Sequence, residues 1–127
     1  MSAPTGKRIV VADDEADIRR LITFTLRRRG YEVHEAADGD EALDLIREVH
    51  PDLAVLDVMM PGRSGLEVAQ SLTASSETAG IPVVILSAKG QMTEVEAGIT
   101  SGARAYLVKP FVPTELAAEI EKILSPE

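Results

Sequence analysis

The sequence predicts an α/β domain built on a parallel sheet, and two observations lead to this prediction. Short apolar runs rich in β-branched residues alternate with segments whose apolar residues recur at helical spacing. Several of the runs are apolar at every position, as expected of strands covered on both faces. Five predicted strands alternate with five predicted helices, so a three-layer arrangement with helices on both faces of one sheet follows.

The first half of the chain provides three strands and two helices. Gly30 should close the first helix. The apolar face of this helix is predicted to carry Ile18, Leu21, Ile22, Thr25 and Leu26. Asp38 is the expected N-cap of the second helix. The second strand alternates polar and apolar residues and should lie near a sheet edge. The predicted strands are 8–12, 31–36 and 53–57, and the predicted helices are 15–29 and 38–50.

The second half of the chain repeats the pattern. Ser64 and Glu67 have the spacing of a capping box, so a helix should start near residue 65. A weaker helix over about 91–102 contains Gly98, which costs roughly 1 kcal/mol relative to Ala. Pro113 suits the first turn of the last helix. The remaining predicted strands are 82–87 and 105–108.

Composition excludes several classes of protein. The 127 residues fit a single domain, predicted as 1–127 with a core of about 7–124 and no output domain. The absence of Cys excludes disulfides and thiol chemistry. The formal charge of −8 argues against nucleic-acid binding, and the basic run 27–29 is best explained as the end of a helix. No signal peptide or membrane span is visible, so a cytoplasmic protein is expected.

Polar residues interrupt the apolar pattern at equivalent places, the carboxyl ends of the strands. These residues share one edge of a parallel sheet, where open α/β sheets bind ligands. In the flavodoxin-like strand order 2-1-3-4-5, the first and third strands are neighbours, so their acidic residues should converge. The residues concerned are Asp13, Asp14, Asp57, Ser87 and Lys109.

The chemistry of this set favours a metal-assisted reaction with phosphate. Three crowded carboxylates repel one another, so one should have a raised pKa unless a cation is present. Oxygen ligands without His or Cys suit Mg²⁺, and a carboxylate beside the ion can act as a nucleophile. Ser87 and Lys109 could donate to phosphoryl oxygens. Each Asp taken alone is more simply an N-cap or a turn residue, so the prediction depends on the whole set.

Four motifs resemble the receiver domain of two-component response regulators, as in the chemotaxis regulators. The resemblance covers nearly the whole chain, in the family's order and spacing. It implies a phosphorylation-controlled signalling switch that is not a conventional enzyme, although it promotes its own phosphotransfer and dephosphorylation. The motifs are VADDE (11–15), LDVMMPGRSG (56–65), LSAKG (86–90) and YLVKPF (106–111).

The resemblance also implies roles for individual residues. Asp57 would accept the phosphoryl group, and Mg²⁺, with Mn²⁺ as a substitute, would be held by Asp13, Asp14, Asp57 and the backbone carbonyl of Met59. Ser87 would be the switch hydroxyl, and Ala88 would leave space beside the phosphate. Lys109 would pair with phosphoryl oxygens through a loop with a cis Lys109–Pro110 peptide. Tyr106 would swing inward after phosphorylation.

The implied partners are a sensor histidine kinase or a histidine phosphotransfer protein, and a downstream protein. The downstream protein would bind a surface formed by the fourth helix, the fifth strand and the fifth helix. The domain is expected to be a monomer or weak dimer, with no direct nucleic-acid binding and no membrane insertion. Lys89 and Met59 occupy positions that tune the phosphoryl lifetime. Arg63 and Ser64 lie in a loop where many relatives differ.

Three alternatives remain open from the sequence. A Mg²⁺-dependent phosphatase could use Asp57 as a transient nucleophile, although haloacid-dehalogenase-type enzymes carry a second Asp where this chain has Met59. A flavodoxin-like cofactor binder would need a hydroxyl- or glycine-rich phosphate loop, and this chain has Asp13 and Asp14 there. A receiver-like module without phosphate chemistry is disfavoured by the intact set of polar residues.

Overall fold

A computed structural model describes residues 6–88 and 103–124. Five strands and four helices lie within these ranges. The strands are β1 (Arg8–Ala12), β2 (Glu32–Ala36), β3 (Leu53–Asp57), β4 (Val83–Ala88) and β5 (Ala105–Lys109). The helices are α1 (Ala16–Arg28), α2 (Gly39–Val49), α3 (Gly65–Ala74) and α4 (Pro113–Leu124). The helix predicted over about 91–102, with Gly98, lies outside the described residues.

The five strands form one parallel sheet in the order β2-β1-β3-β4-β5, which confirms the predicted topology. The second strand lies at a sheet edge, as its alternating pattern indicates. Pairing of Asp57 with Leu86 and of Ala88 with Lys109 brings the ends of three strands to the same level. Ser87 lies within β4, as predicted. Lys109 lies in β5 and not after it, because the ladder continues through both residues.

Two apolar layers cover the sheet, and both are almost entirely aliphatic. One layer packs α2 and α3 against one face, with Leu43, Ile46 and Leu72 among its buried side chains. The other packs α1 and α4 against the opposite face, with Ile22 and Ile120 at its centre. Each Å² of apolar surface removed from water contributes about 25 cal/mol to the free energy of folding, so these two layers are the main source of stability. They hold the strand ends in fixed positions.

Helix ends follow the predicted capping chemistry. The Asp38 side chain accepts a hydrogen bond from the Glu41 amide at 2.7 Å. Ser64 and Glu67 form the reciprocal capping box, with bonds of 2.9 and 3.1 Å. Gly30 follows the α1 C-cap with φ of 95°, a left-handed conformation that glycine adopts without strain.

The predicted apolar face of α1 is rotated in the structure. Ile22 and Leu26 are buried as expected, but Leu21 is 51% exposed and Thr23 is buried instead. The rotation follows from contacts between α1 and β2, where Arg27 Nη2 donates to the Val33 carbonyl at 3.0 Å. These contacts turn the Thr23 side of the helix inward. Within residues 6–88 and 103–124, no helix is long and apolar enough to cross a membrane.

Candidate functional site

The carboxyl ends of β1 and β3 bring three carboxylates together. Asp13 and Asp14 follow β1, and Asp57 is the last residue of β3. One oxygen from each lies within 4.8 Å of the others. Asp13 and Asp57 are buried, whereas Asp14 is exposed. The strand ends therefore create the predicted acidic cluster, with one side open to solvent.

Lys109, at the end of β5, reaches into this cluster. Its ammonium nitrogen lies 3.0 Å from Asp13 Oδ2 and 3.3 Å from Asp57 Oδ2. It also donates to Glu15 Oε1 at 2.9 Å. The sequence reasoning did not include Glu15 in the site. The only signal that could have identified it is a third consecutive acidic residue after Asp13 and Asp14, at the end of the same strand.

Asp13 has two functions in the local structure. Its Oδ1 accepts a hydrogen bond from the Glu15 amide at 2.9 Å, which forms the turn into α1. Its Oδ2 is buried and contacts Lys109 without a well-formed hydrogen bond. The turn-forming interpretation of this Asp is therefore correct for one oxygen. The other oxygen faces the Lys109 ammonium, and a metal ion that displaced this ammonium would find the oxygen already held in position by the turn.

Burial and mutual repulsion shift the protonation of Asp57. Burial, followed by the charge of Asp13, raises the pKa of Asp57 to about 7, although Lys109 opposes the shift. Burial alone would lower the pKa of Lys109, but its contacts with Glu15, Asp13 and Asp57 raise it above the ordinary value. Lys109 is therefore a permanent cation in the site. The raised pKa predicted for one carboxylate of the cluster is confirmed at Asp57.

The next two strands add a hydroxyl near the end of β4 and an aromatic ring near the start of β5. Ser87 is fully buried in β4, and its Oγ makes no hydrogen bond in the described part of the chain. Tyr106, opposite Ile85 in the ladder, is 40% exposed. An unpaired buried hydroxyl costs free energy that a new acceptor would recover. The Lys109–Pro110 peptide is cis.

The loop after Asp57 is held by backbone contacts. The Gly65 amide donates to the Val58 carbonyl at 3.1 Å, and a Cβ on Gly65 would overlap the Asp57 carbonyl oxygen. The side chain of Met59 is 59% exposed beside the acidic cluster. These contacts keep the turn close to the end of β3.

The donor set fits a hard divalent cation. All three side chains offer oxygen, and neither His nor Cys belongs to the cluster. A buried carboxylate oxygen without a hydrogen bond and a carboxyl group with a raised pKa would both gain from a cation. The exposed position of Asp14 leaves room for waters or phosphate oxygens, which Mg²⁺ sites usually retain.

A family model described as "Response regulator receiver domain" matches residues 9–121. The chain belongs to the response regulator receiver domain family. Such a domain is a phosphorylation-controlled switch in two-component signalling, as the resemblance predicted. The alternative of a Mg²⁺-dependent phosphatase finds no support in the comparisons.

Two curated relatives illustrate the similarity in sequence. "DNA-binding response regulator MtrA" of Mycobacterium tuberculosis (strain ATCC 25618 / H37Rv) is 42% identical over 114 residues, which are 90% of this chain and 49% of that protein. "Phosphate regulon transcriptional regulatory protein PhoB" of Escherichia coli (strain K12) is 42% identical over 119 residues, 94% of this chain and 52% of that protein. The chain thus spans about half the length of these relatives.

Solved structures support the same assignment. A response regulator from Chloroflexus aurantiacus is similar with a TM-score of 0.89 and 34% identity, covering 95% of this chain and 99% of that chain. Chemotaxis response regulator CheY4 of Vibrio cholerae gives a TM-score of 0.87 and 32% identity, covering 94% of this chain and 100% of that one. Both similarities extend over nearly the whole of each chain.

Proposed function

We propose that this receiver domain accepts a phosphoryl group on Asp57 from a phosphohistidine, with Mg²⁺ bound beside it. The observation that carries the proposal is the convergence of Asp13, Asp14 and Asp57 within 4.8 Å, with the Lys109 ammonium 3.3 Å from Asp57. A buried carboxylate with a fixed cation beside it is suited to attack phosphorus and then to hold the product. The proposal places this exchange in the cytoplasm.

The metal would be held by Asp13, Asp14, Asp57 and the Met59 carbonyl, and Mn²⁺ would substitute for Mg²⁺. When bound, the ion would offset the charge of the carboxylates and of the phosphoryl oxygens. Asp13 is oriented for this role by its hydrogen bond to the Glu15 amide, which fixes the second oxygen. Met59 is included because it lies two residues after Asp57, in the turn that the hydrogen bond from the Gly65 amide to the Val58 carbonyl closes.

The chain's own residues account for the transfer. An Asp57 oxygen forms a bond to phosphorus, the P–N bond to the donor imidazole breaks, and the imidazole nitrogen takes a proton from solvent. Lys109 would shift from Glu15 towards the phosphoryl oxygens, and Ser87 would gain the acceptor that it lacks. The small side chain of Ala88 leaves space there. Hydrolysis of the aspartyl phosphate by water would then restore the Asp57 carboxylate and release inorganic phosphate, and the domain would promote both the transfer and this hydrolysis.

The switch would pass from Ser87 to β5. Movement of the Ser87 hydroxyl towards phosphate would vacate space that the half-exposed Tyr106 could fill. The surface changed in this way would include β5 and the last helix, α4. It would also include the helix predicted over about 91–102, which lies outside the described residues. A downstream protein would read that surface, with the domain as a monomer or weak dimer.

The proposed upstream partner is a sensor histidine kinase or a histidine phosphotransfer protein. Some of the relatives are named DNA-binding response regulators, and this chain covers about half of their length. We propose that this domain does not bind nucleic acid directly, because its net charge is −8. We also propose that it does not insert into a membrane. The earlier expectation of a single domain without an output domain stays a prediction.

Phosphorylation by a small donor tests the proposal. The chain is incubated with acetyl phosphate and Mg²⁺, and its intact mass is measured. We expect one phosphoryl adduct on the wild-type chain and none on Asp57→Asn. Asp44→Asn, an exposed carboxylate in α2, is the matched control and should be modified normally.

Two results would contradict the proposal. One is a wild-type chain that gains no mass with either Mg²⁺ or Mn²⁺, and the other is an undiminished adduct on Asp57→Asn. Steady turnover of p-nitrophenyl phosphate would instead indicate a phosphatase. A histidine kinase partner is tested separately, by transfer from a phosphorylated kinase domain to the wild-type chain and its Asp57→Asn variant.

A further inference from the structure

A second cavity lies between α1 and the edge strand β2, and the phosphoacceptor site shares none of its lining residues. Its volume is about 410 Å³, within the range of small-molecule sites. We call it the arginine cavity, and it is lined by Arg20, Thr23, Phe24, Arg27, Arg28 and Glu35.

The charge of the arginine cavity is opposite to that of the chain. Five of the 13 Lys and Arg residues lie between positions 19 and 29, although the net charge is −8. Across residues 6–88 and 103–124, no carboxylate lies within 4.0 Å of Arg20, Arg27 or Arg28. Glu35 is already paired with Arg19 at 2.9 Å. The cavity therefore has an excess of positive charge.

A buried hydroxyl points to a ligand independently of the charge. Thr23 is 3% exposed, and its Oγ1 has no hydrogen-bond partner in the described structure. A buried hydroxyl without a partner is costly and uncommon in native proteins. Thr23 lines the cavity, but its hydroxyl itself has almost no accessible surface, so a small outward movement of the walls would be needed for a ligand oxygen to accept its hydrogen bond. Three guanidinium groups beside one free hydroxyl donor favour phosphate, which arginine binds through two parallel hydrogen bonds.

An exposed aromatic ring adds a second recognition element. Phe24 is 59% exposed, and the Arg28 guanidinium carbon lies 5.6 Å from its ring centroid. A guanidinium and a phenyl ring together offer flat surfaces on which a planar ring can stack. The cavity combines phosphate donors with a stacking surface, which is the recognition chemistry of a nucleotide.

We propose that the arginine cavity binds a nucleotide, with its phosphates on the arginines and the Thr23 hydroxyl and its base against Phe24. This site goes beyond phosphotransfer, since it uses none of the acidic cluster. It would let a nucleotide stabilise α1 and its contacts with β2, because a ligand that binds only the folded state adds to its stability.

Calorimetric titration of the full chain in EDTA tests the site without Mg²⁺ chemistry at Asp57. The ligands are ADP, pyrophosphate and adenosine. We expect ADP to bind at least about threefold more tightly than pyrophosphate, and adenosine to bind weakest, because the arginines provide most of the affinity. Arg27→Gln should weaken ADP binding by about tenfold. Arg47→Gln, the same change at an exposed position in α2, should have no effect.

Thr23→Val separates ligand binding from folding. Valine has nearly the shape of threonine and removes the unpaired hydroxyl, so the variant should unfold at the same temperature or higher. We expect it to bind ADP at least about threefold more weakly. Asp57→Asn should bind ADP as the wild type does, which keeps this test independent of the proposed phosphotransfer.

Four results would overturn the proposal. They are no ADP binding, ADP binding unchanged in both Arg27→Gln and Thr23→Val, equal binding of ADP and pyrophosphate, and equally tight binding of a polyglutamate peptide. The third would reject base recognition by Phe24. The last would show that the cavity attracts acidic chains in general and is not a nucleotide site.

Discussion

The Lys109 ammonium lies 3.3 Å from Asp57 Oδ2 and 3.0 Å from Asp13 Oδ2, so the chain's own cation occupies the acidic cluster. The same nitrogen is 2.9 Å from Glu15, outside the cluster. Lys109 therefore balances the charge of the buried carboxylates in the absence of a metal. When another cation enters, the ammonium can move away from Asp13 and Asp57 and keep its contact with Glu15. Several expectations about stability, metal affinity and pH follow from this arrangement.

Replacement of Lys109 by Gln should separate the contribution of the ammonium to folding stability from its competition with a metal ion. Without the ammonium, the repulsion between Asp13 and Asp57 is uncompensated, so the metal-free chain should lose about 1–3 kcal/mol of unfolding free energy. Mg²⁺ should bind several-fold more tightly, because no positive charge opposes the ion. Urea unfolding in EDTA and calorimetric Mg²⁺ titration measure the two quantities.

Lys122→Gln is the control for Lys109→Gln. Lys122 is exposed in α4 and pairs only with Glu119, at 3.5 Å, among the described residues. This variant should match the wild type in both measurements. Weaker Mg²⁺ binding in Lys109→Gln would show that the lysine helps to position the ligands and does not compete with the metal.

The raised pKa of Asp57 makes the metal-free chain less stable as pH increases. The folded state holds the proton up to a pH of about 7, whereas an unfolded Asp releases it near its ordinary pKa of 3.8. Between these values the folded state binds more protons, so unfolding free energy should fall as pH rises from about 4 to about 7 and level off above. Urea unfolding in EDTA from pH 5 to 8 measures this slope.

Asp57→Asn removes the titrating group and provides the reference for the slope. Its unfolding free energy should depend less on pH over the same range. If the wild type and the variant show the same slope, the proton is held elsewhere in the cluster.

Mg²⁺ affinity should rise with pH over the same range. A carboxyl group must lose its proton before it binds a metal, so protons compete with Mg²⁺ below the pKa of about 7 at Asp57. The apparent affinity should increase by about tenfold per unit up to that pH and then become constant. Calorimetry at pH 5.5, 6.5 and 8 tests this, and proton release in buffers of different ionisation enthalpy is the control. A flat profile would contradict the competition.

The acidic cluster was predictable from sequence because it depends only on backbone architecture. Once β1 and β3 are recognised as neighbouring parallel strands, the positions of Asp13 and Asp57 follow from where the strands end. The contact between Lys109 and Glu15 was not predictable. It depends on the side-chain conformations of two long residues that are 94 positions apart in the chain.

The orientation of α1 shows a second limit. Helical periodicity predicted an apolar face containing Leu21 and Thr25. In the structure Thr23 is buried and Leu21 is exposed, because α1 packs against the edge strand β2. Helical spacing gives the direction of the apolar face only to within one residue's rotation. The contact with β2 that decides between Leu21 and Thr23 is a tertiary one. The buried Thr23 hydroxyl therefore became visible only in the structure.

Gly65→Ala should destabilise the chain and disturb the phosphoacceptor. An added Cβ would overlap the backbone oxygen of Asp57, so either α3 or the end of β3 must move. We expect a loss of about 2–4 kcal/mol and a lower yield of phosphoryl adduct. Gly80→Ala is the matched control, since its Cβ would meet nothing within 4 Å. Equal unfolding free energies of the two variants would show that the loop accommodates the added methyl group without loss of stability.

His50→Gly should stabilise the chain. His50 caps α2 in the left-handed region, with φ of 51° and ψ of 64°, where a side chain is strained and glycine is not. Its amide still donates to the Ile46 carbonyl at 2.9 Å after the change, so the cap is kept. The expected gain is about 0.5–1 kcal/mol, measured by urea unfolding. His34→Gly, in the extended strand β2, should lose stability instead, because glycine adds backbone entropy to the unfolded state and the change removes the 2.7 Å contact between His34 and Glu32. A loss in both variants would mean that the imidazole of His50 contributes contacts worth more than the strain it causes.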